Sequence, residues 1–404
     1  MLDFLENISL DYDDIPALVA IRQKGKLSFR GLPSKKTEAF KYTPVASVLT
    51  EDMFLQSEEK CDEEHCHCHE SYFDFASYEF HFCNGRLHEH FHLEDGLEAS
   101  SMLDAVTAHE TSKYLNQTDW ANFPFAALNT AYLEQGLFLR VSKKLDKPIA
   151  FIYHNKSKGF KNIRNVIVVE KGAKAELIEV FEGQNEPYFL NIVNEIFISK
   201  NAELTHCKLQ KESNSAVHIA LQSVHVKSQG KFESYTLQTG SKLARNETHV
   251  FLKEEGATAL VNAAYHIKGL SLIDTTTDIE HISKETTSNQ LIKGVVDEAA
   301  HGVFQGKIHI APNAVQTEGY QLHKALLLSD DAAVDVKPEL EIFADDVKCS
   351  HGATSGDLNQ DELFYLCSRG ISEKEARQIL TSAFLNEAFE GIKNESLKTL
   401  FRIS

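Results

Sequence analysis

The sequence lacks an excess of basic residues. It has 41 Lys and Arg against 59 Asp and Glu, which gives a formal net charge of -18. A nucleic-acid-binding surface needs clustered Lys and Arg, so the composition argues against one, and against a face for anionic membranes. No apolar run is long enough to span a bilayer, and the start, MLDFLENISL, lacks the regions of a secretory signal. We therefore expect a cytoplasmic protein with no nucleic-acid or membrane partner.

The cysteine pattern is not that of a disulfide scaffold. The seven cysteines are odd in number, which fits reduced thiols in a cytosol. Iron–sulfur clusters usually take four thiolates in tight runs, whereas outside an N-terminal stretch the cysteines are widely dispersed. These are Cys83, Cys207, Cys349 and Cys367. We therefore expect no cluster or other cofactor to be bound stably by the isolated chain.

Nucleotide-binding motifs are also missing. The run from Gly302 to Gly306-Lys307-Ile308 has three residues between its glycines and an Ile after Lys, so it is not a phosphate-binding loop. No G-x-G-x-x-G motif of a Rossmann fold follows a strand. The chain is therefore predicted not to be an ATPase, and no other feature predicts an enzyme.

What the chain does have, from Gly136 onward, is a series of short β-branched runs that end in small-residue turns. Five of these turns follow one another at intervals of 29, 29, 26 and 57 residues, the last being nearly two steps. A recurring strand–turn–strand unit without intervening helices predicts a mainly β fold, a parallel β-helix or β-solenoid. The turns are Gly172-Ala173, Asn201-Ala202, Gly230-Lys231, Gly256-Ala257 and Asn313-Ala314.

The segment before the coil, residues 1–135, is predicted to be a mainly helical N-terminal region. Ile15–Lys24 has amphipathic spacing with Gly25 near its end, and Ser101–Glu134 has apolar residues at helical spacing. Ser77–Leu87 alternates like a strand. Because open coils expose unpaired backbone, terminal helical regions are suitable caps.

The β-helix core is predicted to cover residues 136–356, and a C-terminal helical region residues 357–404. Asn359 is placed to cap a first helix. Ser372 and Glu375 form the capping box of a second, whose apolar stripe includes Leu380. We therefore expect two helices after the coil.

One N-terminal stretch, CDEEHCHCH, is dense in soft metal ligands. Such a density of sulfur and nitrogen ligands could hold zinc, copper(I) or another thiophilic metal. The spacing is not that of a zinc finger, so we interpret the stretch as an acidic loop that binds metal adventitiously. Its ligands are Cys61, His65, Cys66, His67, Cys68 and His69.

The stretch Lys337–Gly356, KPELEIFADDVKCSHGATSG, begins with strand-like alternation and then places Cys349 and His351 two residues apart. On an extended backbone both side chains leave the same face. A thiolate beside an imidazole makes either a soft metal-binding edge or a Cys–His nucleophile pair. Gly352 and Gly356 are expected to end the strand.

This stretch resembles the C-terminal signature of the SufB/SufD family of iron–sulfur cluster assembly proteins. The resemblance covers PELEIFADDVKCSHGAT and LFYLCSRGIS, and extends to VFQGKIHI, ALLLS and EAFKYT. It is closer to the SufD branch, because SufB chains carry Glu-His-Glu-Ala-Thr where this chain has CSHGAT. The resemblance implies that the β-helix is right-handed and that the chain is a scaffold of the SUF system, without turnover chemistry.

The same resemblance implies site residues and partners. It places His351, with Cys349 in support, at an interface with a SufB-like subunit, where a transient iron–sulfur cluster is shared. It also implies that Leu363–Phe389 docks a SufC-like ATPase. We assign that contact to Leu363, Phe364, Leu366, Arg369, Leu380 and Phe384.

Two other functions are compatible with a parallel β-helix. Polysaccharide-active enzymes use this fold, but the repeat region shows no acid cluster at strand positions. A SufB-type or homodimeric scaffold acting alone is the second alternative. The CSHGAT motif argues against a SufB-type chain. Homodimerisation of the isolated chain stays open, because SufB and SufD are alike.

Overall fold

The computed structural model describes residues 8, 10–54, 71–88, 93–117 and 123–403. The strands, numbered in chain order, are β1 (Tyr78–Cys83), β2 (Arg86–Leu87), β3 (Leu97–Ser101), β4 (Leu137–Val141), β5 (Ile149–Asn155), β6 (Gly159–Val169), β7 (Lys174–Gly183), β8 (Tyr188–Ile198), β9 (Glu203–Lys211), β10 (Val217–Val226), β11 (Lys231–Gln238), β12 (Leu243–Leu252), β13 (Thr258–Ile267), β14 (Leu272–His281), β15 (Thr287–Val296), β16 (His301–Ile310), β17 (Glu318–Leu327), β18 (Ala333–Ile342) and β19 (Lys348–Gly356). The α-helices are α1 (Pro16–Ser28), α2 (Val45–Val48), α3 (Met102–Thr107), α4 (Pro124–Ala131), α5 (Gln360–Ser368), α6 (Glu373–Asn386) and α7 (Glu395–Leu400).

The strands from β4 onward alternate between two sheets, so that each strand pairs with the one two positions later in the chain. One sheet runs in the order β19-β17-β15-β13-β11-β9-β7-β5-β1-β2, and the other in the order β18-β16-β14-β12-β10-β8-β6-β4-β3. Pairing is parallel throughout the coil; for example, β17 and β19 are in register from Glu318 opposite Lys348. The prediction of a parallel β-solenoid with helical regions at both ends is confirmed.

The interior of the coil is formed by every second residue of a strand, which the burial of β17 shows clearly. On β17, Gly319, Gln321, His323 and Ala325 are buried, whereas the residues between them are partly exposed. Since side chains of a strand point alternately to its two faces, every second residue lies inside the coil. Apolar side chains of this set, including Phe151, Ile192 and Phe232, form the main core.

A column of residues with left-handed backbone conformation marks one corner of the coil. Its members lie 27 to 31 residues apart, and in most of them the N–H donates to a carbonyl in the next coil, as Asn201 does to Ser228 at 3.0 Å. Gly and Asn adopt positive φ at least cost, which explains two glycines and an Asn here. The column is Gly172, Asn201, Gln229, Gly256, Glu285, Gln316 and Asp346.

The N-terminal region adds strands to the predicted helices, including β1 and β2 within the expected Ser77–Leu87 strand. Strand β1 pairs in parallel with β5, and β3 pairs antiparallel with β4, so both sheets extend upstream of Gly136. The single helix expected over Ser101–Glu134 is not continuous in the described residues: α3 ends at Thr107, a 3-10 helix follows at Glu110–Lys113, and α4 begins at Pro124. Gly25 does not end its helix; a Cβ there would overlap the backbone of Ala131, so glycine allows α1 and α4 to pack closely.

The C-terminal region has three helices rather than the two expected. Both predicted caps are confirmed: the Asn359 side chain accepts from the N–H groups of Asp361 and Glu362, and Ser372 accepts from Glu375. The missed helix is α7, whose Leu397 is buried together with Phe389 and other residues against the coil. In the described part of the chain, no helix is both long and apolar enough to cross a membrane.

Candidate functional site

The C-terminal end of the coil is formed by the last strand of each sheet. Strand β18 ends one sheet and β19 ends the other, and within the described residues neither has a neighbour on its outer side. An edge strand presents a row of unpaired N–H and C=O groups, which is a template for pairing with another chain. Two such edges lie side by side at this rim.

Cys349 and His351 both lie on β19 and on the same face of it. Cys349 pairs with Gly319, and His351 with Gln321, on the preceding coil. Because Gly319 and Gln321 are interior positions, the Cys349 and His351 side chains continue the interior column to the open rim. Gly352 does not end the strand as expected, since β19 continues to Gly356.

The two side chains differ in their surroundings. Cys349 is half-buried and packs at the edge of an apolar cluster with Ile308, Ile310 and Leu340. Burial raises the pKa of its thiol above the ordinary value, so the thiol is protonated at neutral pH. His351 is exposed at the rim. The exposed imidazole and the half-buried thiol lie two residues apart on β19. Both are groups that bind soft metals, and a second chain can approach them at the rim.

A Cys–His nucleophile pair needs an orienting third group. Within the described ranges, no hydrogen bond joins the His351 side chain to a carboxylate. Asp345 and Asp346 lie in the turn before β19. Nor do three or more His, Cys, Asp or Glu side chains of the described residues converge as a metal site. A metal bound by Cys349 and His351 would therefore need further ligands from beyond this group.

The C-terminal helices divide the predicted docking residues into two groups. Phe364 and Arg369 are exposed, with Phe364 at 74% of its full accessible area. Leu363 is buried, Leu366 and Leu380 are half-buried, and Phe384 packs against the coil. Sequence reasoning missed Tyr365 and Ile379, which are 56% and 43% exposed. Helical spacing could have revealed them, because both lie away from the buried positions of α5 and α6.

The Cys/His-rich stretch at Cys61–His69 lies outside the described residues.

The coil interior carries polar groups that sequence reasoning did not find. Lys208 Nζ lies 2.9 Å from His218 Nε2, and His218 Nδ1 lies 2.7 Å from a Glu212 carboxylate oxygen. Tyr188 donates to the other Glu212 oxygen at 2.8 Å. Burial lowers the pKa of Lys208 to about 8. Buried charges are tolerated when paired and hydrogen-bonded, as these are.

Fold and site together define a class of protein. It is a parallel β-helix with helices at its N and C termini. Its last coil presents a thiol and an imidazole beside two sheet edges that are open within the described residues, and exposed aromatic side chains lie on the following helix pair.

Comparison with known proteins identifies the family. Residues 151–384 match the family described as "SUF system FeS cluster assembly, SufBD core domain", and residues 6–151 match "SufBD protein N-terminal region". The chain therefore belongs to the SufBD family of iron–sulfur cluster assembly proteins, as the sequence motifs indicated.

Individual relatives agree with this assignment. The chain is 33% identical over 314 residues to an iron–sulfur cluster assembly SufBD family protein of Synechocystis, covering 74% of this chain and 69% of the relative. It is 36% identical over 237 residues to the iron–sulfur cluster assembly protein SufD of Escherichia coli, covering 58% of this chain and 56% of that protein. It is 35% identical over 268 residues to protein ABCI7, chloroplastic, of Arabidopsis thaliana, covering 63% and 56%.

Proposed function

We propose that this chain is a SufD-like scaffold subunit of a cytoplasmic SUF assembly complex, and not an enzyme. Its open rim binds a SufB-like subunit, and His351 provides a ligand to an iron–sulfur cluster that forms transiently between the two chains. The cluster is cargo rather than a resident cofactor. The observation that carries the proposal is the position of His351. It is exposed at the end of the interior column, beside two strand edges that are unpaired within the described part of the chain.

The rim is suited to joining two chains. Pairing of β18 and β19 with strands of a partner would satisfy their outer N–H and C=O groups, which gives affinity through the main chain. The rim also has an apolar component, since Leu340 and Cys349 border the cluster around Ile308. His351 would then lie at the centre of the interface between the two chains, where a neutral imidazole is a competent iron ligand.

The helix pair is suited to a second partner. Phe364, Tyr365 and Ile379 expose apolar area on α5 and α6, while Arg369 lies over the Tyr365 ring at 5.2 Å from its centroid. Exposed aromatic side chains with a neighbouring Arg are typical anchors of protein interfaces. We assign this surface to the SufC-like ATPase, whose cycle would move the rim relative to its SufB-like partner.

The test is cluster formation by the assembled complex. The chain is co-expressed with the SufB-like and SufC-like subunits of its own organism, and cluster content is measured anaerobically by absorption and iron and sulfide analysis. His351→Ala should abolish cluster formation while complex assembly and the unfolding temperature stay close to wild type. His309→Ala, on the outer face of strand β16 in the opposite sheet, is the control and should retain cluster formation.

Two results would contradict the proposal. Cluster formation by the His351→Ala complex in proportion to its folded fraction would show that His351 is structural. Purification of the chain only as a homodimer, with no SufB-like partner recovered, would favour the scaffold that acts alone, since the same two edges could pair with a second copy.

A further inference from the structure

One interior side chain beneath the rim is buried without a hydrogen-bond partner among the described residues. Gln321, on β17, is 2% exposed, and within that part of the chain neither its amide nitrogen nor its amide oxygen is bonded. Leaving a buried amide unpaired is costly, so such groups are rare and need an explanation. A leucine would fill the same position without this cost. The amide is therefore present for a reason other than stability of the coil.

The strand register places Gln321 directly below His351. The two residues are opposite each other in the β17–β19 ladder, and both belong to the interior column. Neighbouring strands are about 4.8 Å apart, so the side chains of such a pair lie one above the other. His351 is the last member of this column, and Gln321 is the residue directly beneath it.

The same chain shows that side chains paired in this way can hydrogen-bond between coils. Asn165 and Asn194 are register partners on β6 and β8, and the Asn165 amide donates to the Asn194 amide oxygen at 2.9 Å. Asn191 donates to its register partner Asn162 at 3.2 Å. An amide side chain in this solenoid therefore reaches the polar group one coil away.

Space for the Gln321 amide is kept open by the opposite sheet. A Cβ at Gly306, on β16, would overlap the end of the Gln321 side chain. The amide thus extends across the interior at the last complete layer. One coil further from the rim, the register partner of Gln321 is Gln290 on β15. The Gln290 amide oxygen already accepts a hydrogen bond from Thr277 at 2.6 Å.

We propose that Gln321 is the positioning residue for His351. When the complex assembles, the unpaired amide turns towards the rim and its oxygen accepts the N–H of one ring nitrogen of His351, which fixes the tautomer and the ring plane and leaves the other nitrogen to bind iron. Histidines that bind metals commonly donate their second ring N–H to such an acceptor, and loss of the acceptor costs 10–100-fold in metal affinity or activity. This inference rests on the proposed role of His351 and adds a residue to it.

The proposal predicts opposite effects of one substitution on stability and on function. Gln321→Leu removes an unpaired buried amide at similar volume, so the unfolding temperature should stay level or rise. Cluster formation by the complex with the SufB-like and SufC-like subunits should nevertheless fall at least ten-fold. Gln321→Glu keeps the acceptor and the side-chain length, and should restore most of the cluster formation that Gln321→Leu loses.

The matched control is Gln290→Leu, which makes the same change on the same interior column one coil lower, and cluster formation should remain near wild type. His351→Ala is measured in parallel. Wild-type cluster formation by His351→Ala would remove the proposed function itself. If His351→Ala is inactive while Gln321→Leu is fully active, or if Gln321→Leu and Gln290→Leu are impaired equally, Gln321 does not position His351 and this inference alone is wrong.

Discussion

The ammonium group of Lys293, on β15, lies 4.2 Å from the centroid of the Phe384 ring on α6. The same ammonium donates to the Phe384 backbone carbonyl at 2.8 Å and forms an ion pair with Glu387. One lysine on the outer face of the coil therefore holds both the ring and the end of α6. The face of α6 that carries Phe384 therefore packs on the solenoid, and the opposite face of α6 is available to a partner.

Phe384→Ala should loosen this attachment. The substitution removes a half-buried ring and its cation–π contact, and we expect a loss of about 2 kcal/mol in the free energy of unfolding. Chemical denaturation followed by circular dichroism measures it. Phe364→Ala is the control, because a ring that is 74% exposed contributes little to folding. Equal losses for the two variants would show that Phe384 is not packed as described.

Phe364→Asp should weaken binding of the SufC-like ATPase at least ten-fold without changing stability. The exposed ring is a candidate anchor residue, and a carboxylate there opposes burial at an interface. Isothermal titration calorimetry with the purified ATPase measures the effect. Glu373→Ala, at an exposed position at the start of α6, is a matched surface control. Unchanged affinity of a folded Phe364→Asp protein would exclude this face as the docking site.

His323 should make folding stability depend on pH in the acidic range. Burial lowers its pKa to about 4 from an ordinary value near 6.5, so the unfolded chain binds a proton more readily than the folded one. The stability is complete above about pH 6.5 and is lost as pH falls from there through 4. The loss is on the order of 3 kcal/mol for this group.

His323→Gln tests this dependence, because glutamine can still accept from Tyr265, which lies 3.0 Å from His323 Nε2, but does not titrate. The free energy of unfolding is measured at several pH values between 7 and 4. The variant should show a shallower fall than wild type. An unchanged slope would mean that His323 does not contribute to the acid sensitivity.

Glu285→Asn should stabilise the protein by about 0.5–1 kcal/mol. Glu285 has a φ of 57° in the left-handed column, where asparagine is better tolerated than glutamate. Its exposed ion pair with Lys284 contributes little, so its loss is a small offset. Thermal denaturation measures the change, and Lys284→Asn, one residue earlier, should give no gain. A loss of stability in Glu285→Asn would contradict the strain argument.

The repeat of the coil was predictable from sequence, whereas its interior was not. Turns such as Gly172-Ala173 and Asn201-Ala202 recur visibly because each coil needs a left-handed corner. A sequence pattern assigns polar side chains to the outside of the coil, so it does not predict the buried positions of Lys208 and Glu212. Their partners come from distant strands, so only the register reveals that the charges are paired.

The candidate site shows the same limit. The spacing of Cys349 and His351 predicted a shared face, and the family resemblance supplied its meaning. Nothing local to that stretch indicates Gln321, which lies 30 residues earlier and becomes a neighbour only through the β17–β19 pairing. Likewise, the packing of Gly25 on α4 depends on a contact far along the chain, so a glycine that resembled a helix stop was in fact a packing site.

The left-handed column has a consequence for how this protein can change its length. Each coil begins at an equivalent corner and has the same strand pairing. If a whole coil is removed or duplicated, the coils on either side can therefore still stack on each other. A single inserted residue within a strand would instead turn its interior side chains outward. Length differences within the coil are therefore expected in steps of 27 to 31 residues, the spacing of the column itself.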